Sequence, residues 1–149
     1  MSTLRASLLC ACLVFACARG ASDAGAGLSF RAQCSASEPG ALEVLVQGTQ
    51  AWFGPARRFP LASAVAVNDG AGHPAIQLFF SPSARKDFEG YTTATVSGPL
   101  GIFVDGELVA VPASQPVPDG NFTFCNEAGG WTAADRDRWL ARIRAAEGR

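Results

Sequence analysis

Hydrophobic and polar residues alternate over the first part of the chain, a pattern typical of half-buried β-strands. The apolar positions of this pattern are Leu28, Phe30, Ala32 and Cys34, then Leu42, Val44 and Val46. Between the two stretches lies Glu38-Pro39-Gly40, whose residues favour turns. We therefore predict that residues 28–47 form a β-hairpin.

The middle of the chain contains one stretch without periodicity and two further strand patterns. Residues 48–60 show no clear period and are predicted to be irregular. Leu61–Val67 is predicted to be a strand that ends at Asn68-Asp69-Gly70, because these residues favour turns. The short apolar run Ile76–Phe80 is predicted to be the next strand.

After residue 80 the pattern changes to helical spacing. Ser81-Pro82 is a typical helix start, because Ser caps the first turn and Pro needs no N–H partner there. One side of the predicted helix carries Ala84, Phe88, Tyr91 and Thr95. Gly98-Pro99 is predicted to end this segment.

An Asp-Gly pair between two alternating segments predicts a tight hairpin. The apolar positions are Leu100, Ile102 and Val104 before the pair, with Val109 and Val111 on the same face after it. Asp105-Gly106 fits a two-residue turn, which places Glu107 opposite Val104. Pro112 stops the second strand or marks it as an edge strand.

A last strand and a last helix are predicted near the C-terminus. The strand is Asn121–Cys125, and Thr132 and Asp135 have the spacing of a capping-box variant at the start of the helix. The buried stripe of this helix is predicted to be Trp139, Leu140 and Ile143. Together these elements predict an α+β fold, with an antiparallel β-sheet and two helices packed on one face, as a single domain over residues 28–147.

Residues 1–18 have the composition of an export signal. A basic residue precedes the apolar run Ala6–Ala18, which is too short for a permanent membrane helix. Val14-Phe15-Ala16-Cys17 resembles a bacterial lipobox, which would make Cys17 the lipidated first residue of the mature protein. The alternative is ordinary cleavage near Ala18-Arg19-Gly20. With residues 19–27 as a flexible spacer, we expect a lipid-anchored protein on the periplasmic side of a bacterial cell envelope.

Charge and cysteine content narrow the range of partners. The 12 basic and 13 acidic side chains nearly cancel, so we expect no nucleic-acid binding. Only two of the five cysteines, Cys34 and Cys125, belong to the predicted domain. An oxidising compartment favours a disulfide between them, and two unconnected buried thiols are the alternative. Together with His73 they lack the close spacing of zinc ligands, so no metal is expected.

The sequence contains no recognisable catalytic motif. His73, the only histidine, stands in a segment of loop composition. Asp105 is explained by its turn, and Asp87 and Glu89 by a solvated helix face. We therefore predict a protein that is not an enzyme and uses no cofactor. A structural envelope lipoprotein without a ligand, or a hydrolase whose site is assembled in three dimensions, are the alternatives.

The segment Ile76–Pro112 resembles the head subdomain of the first periplasmic region of SecD and SecDF, membrane-embedded partners of the Sec protein-export machinery. The shared pattern is an apolar strand, a helix with Phe and Thr, a Gly, an apolar strand, Asp-Gly, a second strand and a Pro. The start of the last helix, Thr132–Asp135, fits the same family pattern. The resemblance implies a binding module accessory to protein export. The family's membrane helices and acidic proton-coupling site have no counterpart here, so a proton-driven motor is not expected.

Two surfaces are candidates for binding. The first consists of Trp52, Phe53, Arg57, Arg58 and Phe59, whose Trp and Arg residues are types enriched in interface hot spots. The alternative interpretation is that its aromatic rings close one end of the core. The second is the edge strand that contains Val111 and ends at Pro112, which can pair with an extended peptide. The expected partners are a protein or extended polypeptide, including the Sec machinery, and the membrane through the lipid anchor.

Overall fold

The computed structural model of the protein describes residues 26–96, 98–126 and 130–148. The predicted export signal, Cys17 and most of the predicted spacer lie outside these residues. Within the described ranges, neither helix has the length and apolar character needed to span a membrane.

The described residues form two antiparallel sheets and two helices. The elements are β1 (Leu28–Cys34), β2 (Leu42–Val46), β3 (Thr49–Phe53), β4 (Leu61–Asn68), β5 (Pro74–Phe80), α1 (Pro82–Ala94), β6 (Leu100–Val104), β7 (Glu107–Ala110), β8 (Asn121–Phe124) and α2 (Ala133–Glu147). The five-stranded sheet has the order β2-β3-β1-β6-β7, and the three-stranded sheet has the order β4-β5-β8. The predicted α+β class and antiparallel pairing are confirmed, with the strands divided between two sheets. The predicted packing of both helices on one face is not confirmed: α2 packs mainly on β4 and β5, and α1 contacts β5.

The predicted hairpin over residues 28–47 is wrong, because β3 lies between β1 and β2. Val46 pairs with Thr49 across a two-residue turn at Gln47 and Gly48, which have φ angles of 52° and 79°. Both central residues of such a turn need positive φ. Gln is not a residue that signals this turn, so the sequence pattern did not reveal it. β3 is the second strand of this β2–β3 hairpin, and it lies in the segment 48–60 that the sequence predicts to be irregular.

The predicted hairpin at Asp105-Gly106 is confirmed, but one of its apolar residues lies on the other face of the sheet. Asp105 and Gly106 have φ angles of 50° and 81°, and Val104 pairs with Glu107. Beyond the turn, Phe103 pairs with Leu108 and Ile102 pairs with Ala110. Val109 is therefore an extra residue that forms a bulge in β7. The extra residue reverses the alternation of β7. Val109 is therefore buried in the main core, while Val111 packs on the opposite face, and the prediction that they share a face is wrong.

The main core lies between the two sheets and the helices and is rich in aromatic rings. Its central aromatic residues are Phe30, Phe59, Phe80, Phe88 and Phe122. The rings of Phe80 and Phe88 stack with centroids 3.9 Å apart. The predicted stripe of α2 is confirmed: Trp139, Leu140 and Ile143 are all buried in this core. A second, smaller cluster on the other face of the five-stranded sheet contains Ala51, Phe53 and Phe103.

Arg142 of α2 holds the β6–β7 turn against the helix. Its guanidinium lies 3.2 Å from a carboxylate oxygen of Asp105 and 2.9 Å from one of Glu107. It also donates a hydrogen bond to the carbonyl of Val104 and lies 4.6 Å from the ring centroid of Trp139. Hydrogen bonds to both carboxylates raise the pKa of Arg142, with Glu107 as the largest cause. Asp105 therefore forms an ion pair with Arg142 in addition to its place in the turn.

The predicted capping box of α2 is confirmed. Thr132 Oγ1 accepts a hydrogen bond from the Asp135 amide at 3.1 Å, and the Asp135 carboxylate accepts one from the Thr132 amide at 3.1 Å. Hydrogen bonds from the Thr132 side chain and backbone lower the pKa of Asp135. At the start of α1, Ser81 is the N-cap residue and Pro82 the first helical residue, but the Ser81 side chain caps no backbone amide.

Replacing Thr132 with alanine is expected to lower the free energy of unfolding by about 1 kcal/mol, because the cap hydrogen bond is lost. The matched control is Ser81→Ala, which should cost less since Ser81 makes no such bond. Denaturant unfolding at pH 7 measures both, and equal losses would contradict the capping argument. Because the folded-state pKa of Asp135 is lowered, its stabilisation is present above the unfolded pKa of about 4 and is lost as the pH falls through the folded-state pKa. The difference between Thr132→Ala and the wild type should therefore narrow in acid.

Candidate functional site

The two phenylalanines of the first predicted binding surface do not form a surface together. Phe53 is 0% exposed and packs against Phe103, with ring centroids 5.7 Å apart. Phe59 is 7% exposed and packs against Phe88, with centroids 5.1 Å apart. The two rings belong to different clusters on opposite faces of the five-stranded sheet. They stabilise the fold and are not available to contact a partner.

The other three members of that surface lie nearer to solvent but are engaged in local contacts. Arg57 is exposed, and its guanidinium lies 5.8 Å from the ring centroid of Tyr91. Arg58 donates a hydrogen bond of 2.8 Å to the carbonyl of Ala26. Trp52 is half-buried and pairs across β1 and β3 with Cys34. The structure therefore separates these five residues rather than bringing them to one site.

The predicted disulfide is not formed. Cys34 lies at the end of β1 in the five-stranded sheet, whereas Cys125 follows β8 in the other sheet. The Sγ atom of Cys125 instead lies 3.8 Å from a carboxylate oxygen of Asp69. Burial, and to a smaller extent the charge of Glu38, raise the pKa of the Cys34 thiol. The two half-buried thiols therefore lie at the ends of strands that belong to different sheets.

Val111, the remaining predicted residue, lines a cleft of about 500 Å³ between β7 and the β2–β3 turn. The walls consist of Leu45, Val46, Gln47, Pro99, Leu108, Val109, Ala110, Val111, Pro112, Cys125 and Asn126. None of these side chains is charged. Leu45 is 67% exposed, one of two large hydrophobic residues exposed in the described part of the chain. The cleft therefore offers an apolar contact surface next to strand β7.

Two further clefts adjoin this one through shared lining residues. The second, of about 490 Å³, shares Cys125 and Pro112 with the first and is also lined by Asp69 and Thr123. The third, of about 340 Å³, shares Pro112 and Thr123 with the second and extends to Asp119. Pro112 lines all three. We refer to the three clefts together as the Pro112 groove, and to the first of them as its apolar section.

The groove lies beside strand edges that are open. In the described part of the chain, β7 pairs only with β6, and β8 pairs only with β5. The β4 edge of the three-stranded sheet, in contrast, is contacted by side chains of α2. Arg144 of α2 donates two hydrogen bonds, of 3.0 and 2.7 Å, to the carbonyl of Ala64, and Arg136 donates one of 3.3 Å to that of Val67. Covering an edge with a helix opposes the addition of another strand. Among the described residues, the edge strands of the groove region without such hydrogen bonds from α2 to their carbonyls are β7, β8 and β2, whose Leu45 and Val46 line the apolar section.

Asp69 provides a fixed negative charge in the groove. One of its carboxylate oxygens accepts hydrogen bonds from the amides of Ala71 and His73, at 2.9 and 2.8 Å. The other lies 3.1 Å from Nδ1 of His73. The amide hydrogen bond from His73 is the largest cause that lowers the pKa of Asp69, against a smaller opposing effect of desolvation. The carboxylate is therefore ionised at neutral pH, and His73 serves to hold it in place.

The sequence patterns missed two residues of this groove. Leu45 lies on the same exposed face of β2 as Glu43, where the alternation predicts a polar residue. An apolar residue at such a position indicates a candidate contact surface. Asp69 was interpreted only as part of a turn. Its position in the groove depends on β8 lying beside β5, which no local pattern indicates.

The fold and groove define a small α+β module with open strand edges beside an extended groove. The fold is similar to that of a SecDF structure described as a membrane component that enhances protein export, with a TM-score of 0.61 and 21% identity over 80% of this chain and 62% of that chain. It is also similar to SecDF in a super-membrane-facing form, with a TM-score of 0.55 and 21% identity over 80% of this chain and 18% of that chain. The chain thus spans less than two thirds of either structure.

The predicted resemblance to SecDF is confirmed at the level of the fold. It extends over 80% of the chain, beyond the segment Ile76–Pro112 whose motifs first indicated it. No protein-family model matches the chain, and no curated protein matches its sequence.

Proposed function

We propose that this protein is an exported, non-enzymatic module of the bacterial cell envelope that binds extended polypeptide in the Pro112 groove and assists protein export. The observation that carries the proposal is the uncharged apolar section of the groove, between Leu45 and Val111, beside the open edge of β7. This combination suits a ligand that has no fixed fold of its own.

An extended peptide beside β7 would use two kinds of contact. Its backbone would form hydrogen bonds with the edge of β7, which requires no particular sequence. Because side chains of a strand alternate between its two faces, every second side chain could enter the apolar section. Affinity would then depend mainly on apolar residues at alternate positions. A binding mode of this kind would accept many unfolded chains.

The similarity to SecDF supports the proposed setting. The SecDF protein whose fold this chain shares is described as a membrane component that enhances protein export. We propose that the present domain acts on the periplasmic side in association with the Sec machinery, where emerging chains are still unfolded. Lipidation at Cys17 would keep it at the membrane surface, as one acyl chain gives only weak binding and several are needed for stable attachment.

Photoreactive amino acids placed at Leu45 and at Val111 of the full-length protein in cells are expected to crosslink to many exported polypeptides during export. The matched control is Val96, which is 51% exposed at the end of α1 and does not line the groove. Adducts are identified by mass spectrometry after purification of the folded protein. Adducts at both groove positions but not at Val96 support the proposal. Equal labelling at Val96, or no adduct at either groove position in an abundant folded protein, contradicts it.

A further inference from the structure

We propose that the Pro112 groove selects extended peptides in which an apolar stretch lies next to a basic side chain, with Asp69 as the residue that recognises the positive charge. This inference rests on the proposed function and specifies its ligand. It follows from the charges along the groove, the geometry of Asp69 and the position of the three clefts.

The groove carries charge of one sign only. Among the described residues that line its three clefts, Asp69 and Asp119 are the charged ones, and both are acidic. No described Lys or Arg lines any of the clefts. Two basic side chains border the groove without lining it: Arg136 donates a hydrogen bond to the carbonyl of Val67, and Arg85 packs beside Gly120. A groove with this charge favours a cationic ligand over an anionic one.

Asp69 is oriented before any ligand arrives. Two backbone amides hold one of its oxygens, and the other lies 3.1 Å from His73 Nδ1 and 3.8 Å from Cys125 Sγ. A carboxylate has about four acceptor positions, and the contact with Cys125 is the weakest of the four because a thiol is a poor donor. An incoming ammonium or guanidinium group can therefore bind by replacing that contact. Because the side chain is already ordered, less conformational entropy is lost when the ion pair forms.

The position of the clefts determines which side chains of the ligand are neighbours. Cys125 and Pro112 line both the apolar section and the neighbouring cleft that contains Asp69. A peptide that extends along the groove would therefore place apolar side chains near Leu45 and Val111 and a basic one near Asp69. The ligand class is an extended, apolar peptide segment bounded by Lys or Arg.

The test uses the full-length protein and three fluorescent peptides with the same apolar sequence and Lys, Gln or Glu at one adjacent position. We expect the Lys peptide to bind about fivefold more tightly than the Gln peptide, as for a partly exposed ion pair of about 1 kcal/mol, and the Glu peptide to bind most weakly. Asp69→Asn should bind the Lys and Gln peptides with equal affinity. The control Asp87→Asn, on the exposed face of α1, should retain the wild-type order.

The outcomes separate this inference from the proposed function. If the wild-type protein binds the Lys and Gln peptides equally, the charge selection is overturned while polypeptide binding stands. The same holds if Asp69→Asn keeps the Lys preference. If none of the peptides binds, the inference and the proposed function both fail. Since Asp69 also orders the β4–β5 turn, circular dichroism checks that Asp69→Asn is folded. If it is not, the Lys, Gln and Glu peptides on the wild-type protein decide whether the groove selects a basic side chain.

Discussion

Replacing Phe30 with alanine is expected to lower the free energy of unfolding by about 3–5 kcal/mol, the largest loss that we anticipate for a single substitution here. Phe30 is fully buried at the centre of β1. Its neighbouring rings, with centroid distances, are Phe88 at 5.0 Å, Phe59 at 5.9 Å, Phe80 at 6.0 Å and Phe122 at 6.1 Å. Alanine would leave a cavity where the two sheets and α1 meet.

The size of this effect follows from the position of Phe30 between elements. The ring joins β1 of the five-stranded sheet to β5 and β8 of the three-stranded sheet, so its loss weakens the contact between the sheets. Each favourable aromatic pair adds about 0.5–1.5 kcal/mol beyond the area that it buries. Since small domains are stable by only about 5–15 kcal/mol, the variant is expected to be partly unfolded at modest denaturant concentrations.

Equilibrium unfolding in urea, followed by tryptophan fluorescence, measures this loss. The control Leu45→Ala removes an exposed hydrophobic side chain and should change stability by no more than about 0.5 kcal/mol. The conservative variant Phe30→Leu should fall between Phe30→Ala and the wild type. A loss below about 1 kcal/mol for Phe30→Ala would show that the contact between the sheets does not depend on this ring.

Replacing Gly101 with alanine is expected to destabilise the protein by about 1–3 kcal/mol, although alanine usually suits regular structure better than glycine. Gly101 lies in β6 opposite Arg31. A Cβ atom built on it would lie 2.8 Å from the ring of Phe103 and 2.8 Å from that of Phe53. Both rings are buried, so neither can move aside without disturbing its neighbours. A hydrogen atom is the only side chain that fits between them.

Gly90 is the matched control for this substitution. It lies within α1, and a Cβ atom built on it would have nothing within 4 Å. Gly90→Ala should therefore stabilise the protein by about 0.5–1 kcal/mol through helix propensity. Thermal unfolding of the two variants compares the signs directly. If Gly101→Ala were as stable as Gly90→Ala, the second cluster would be loosely packed, contrary to the structure.

The packing at Gly101 also bears on the groove. The cluster of Phe53 and Phe103 supports Leu108 and Val111, which form a wall of the apolar section. A shift of either ring would move that wall. For Gly101→Ala combined with Phe53→Leu, the total loss of stability should be smaller than the sum of the two single losses, because the smaller side chain removes one of the two overlaps with the added methyl group. The double variant therefore separates steric overlap from other causes of destabilisation.

The sequence by itself determined those elements whose cause is local. The capping box of Thr132 and Asp135 defined the start of α2, and the helical spacing of its apolar residues defined the buried face. Asp105-Gly106 defined a turn because its two residues tolerate positive φ. The motif in Ile76–Pro112 was sufficient to indicate the SecDF-like fold. In each case neighbours in the chain are also neighbours in space, so their pattern contains the information.

The tertiary structure alone decided which strands meet and where the groove lies. β3 pairs between β1 and β2. The bulge in β7 places Val111 in the cluster of Phe53 and Phe103 and Val109 in the main core. Cys34 lies in a strand of one sheet and Cys125 directly after a strand of the other, so the predicted disulfide does not form. The apolar section depends on β2 and β7 lying on two sides of one cleft, and Asp69 joins the groove only through the pairing of β5 with β8. These are contacts between residues far apart in the chain, and no local preference of the backbone specifies them.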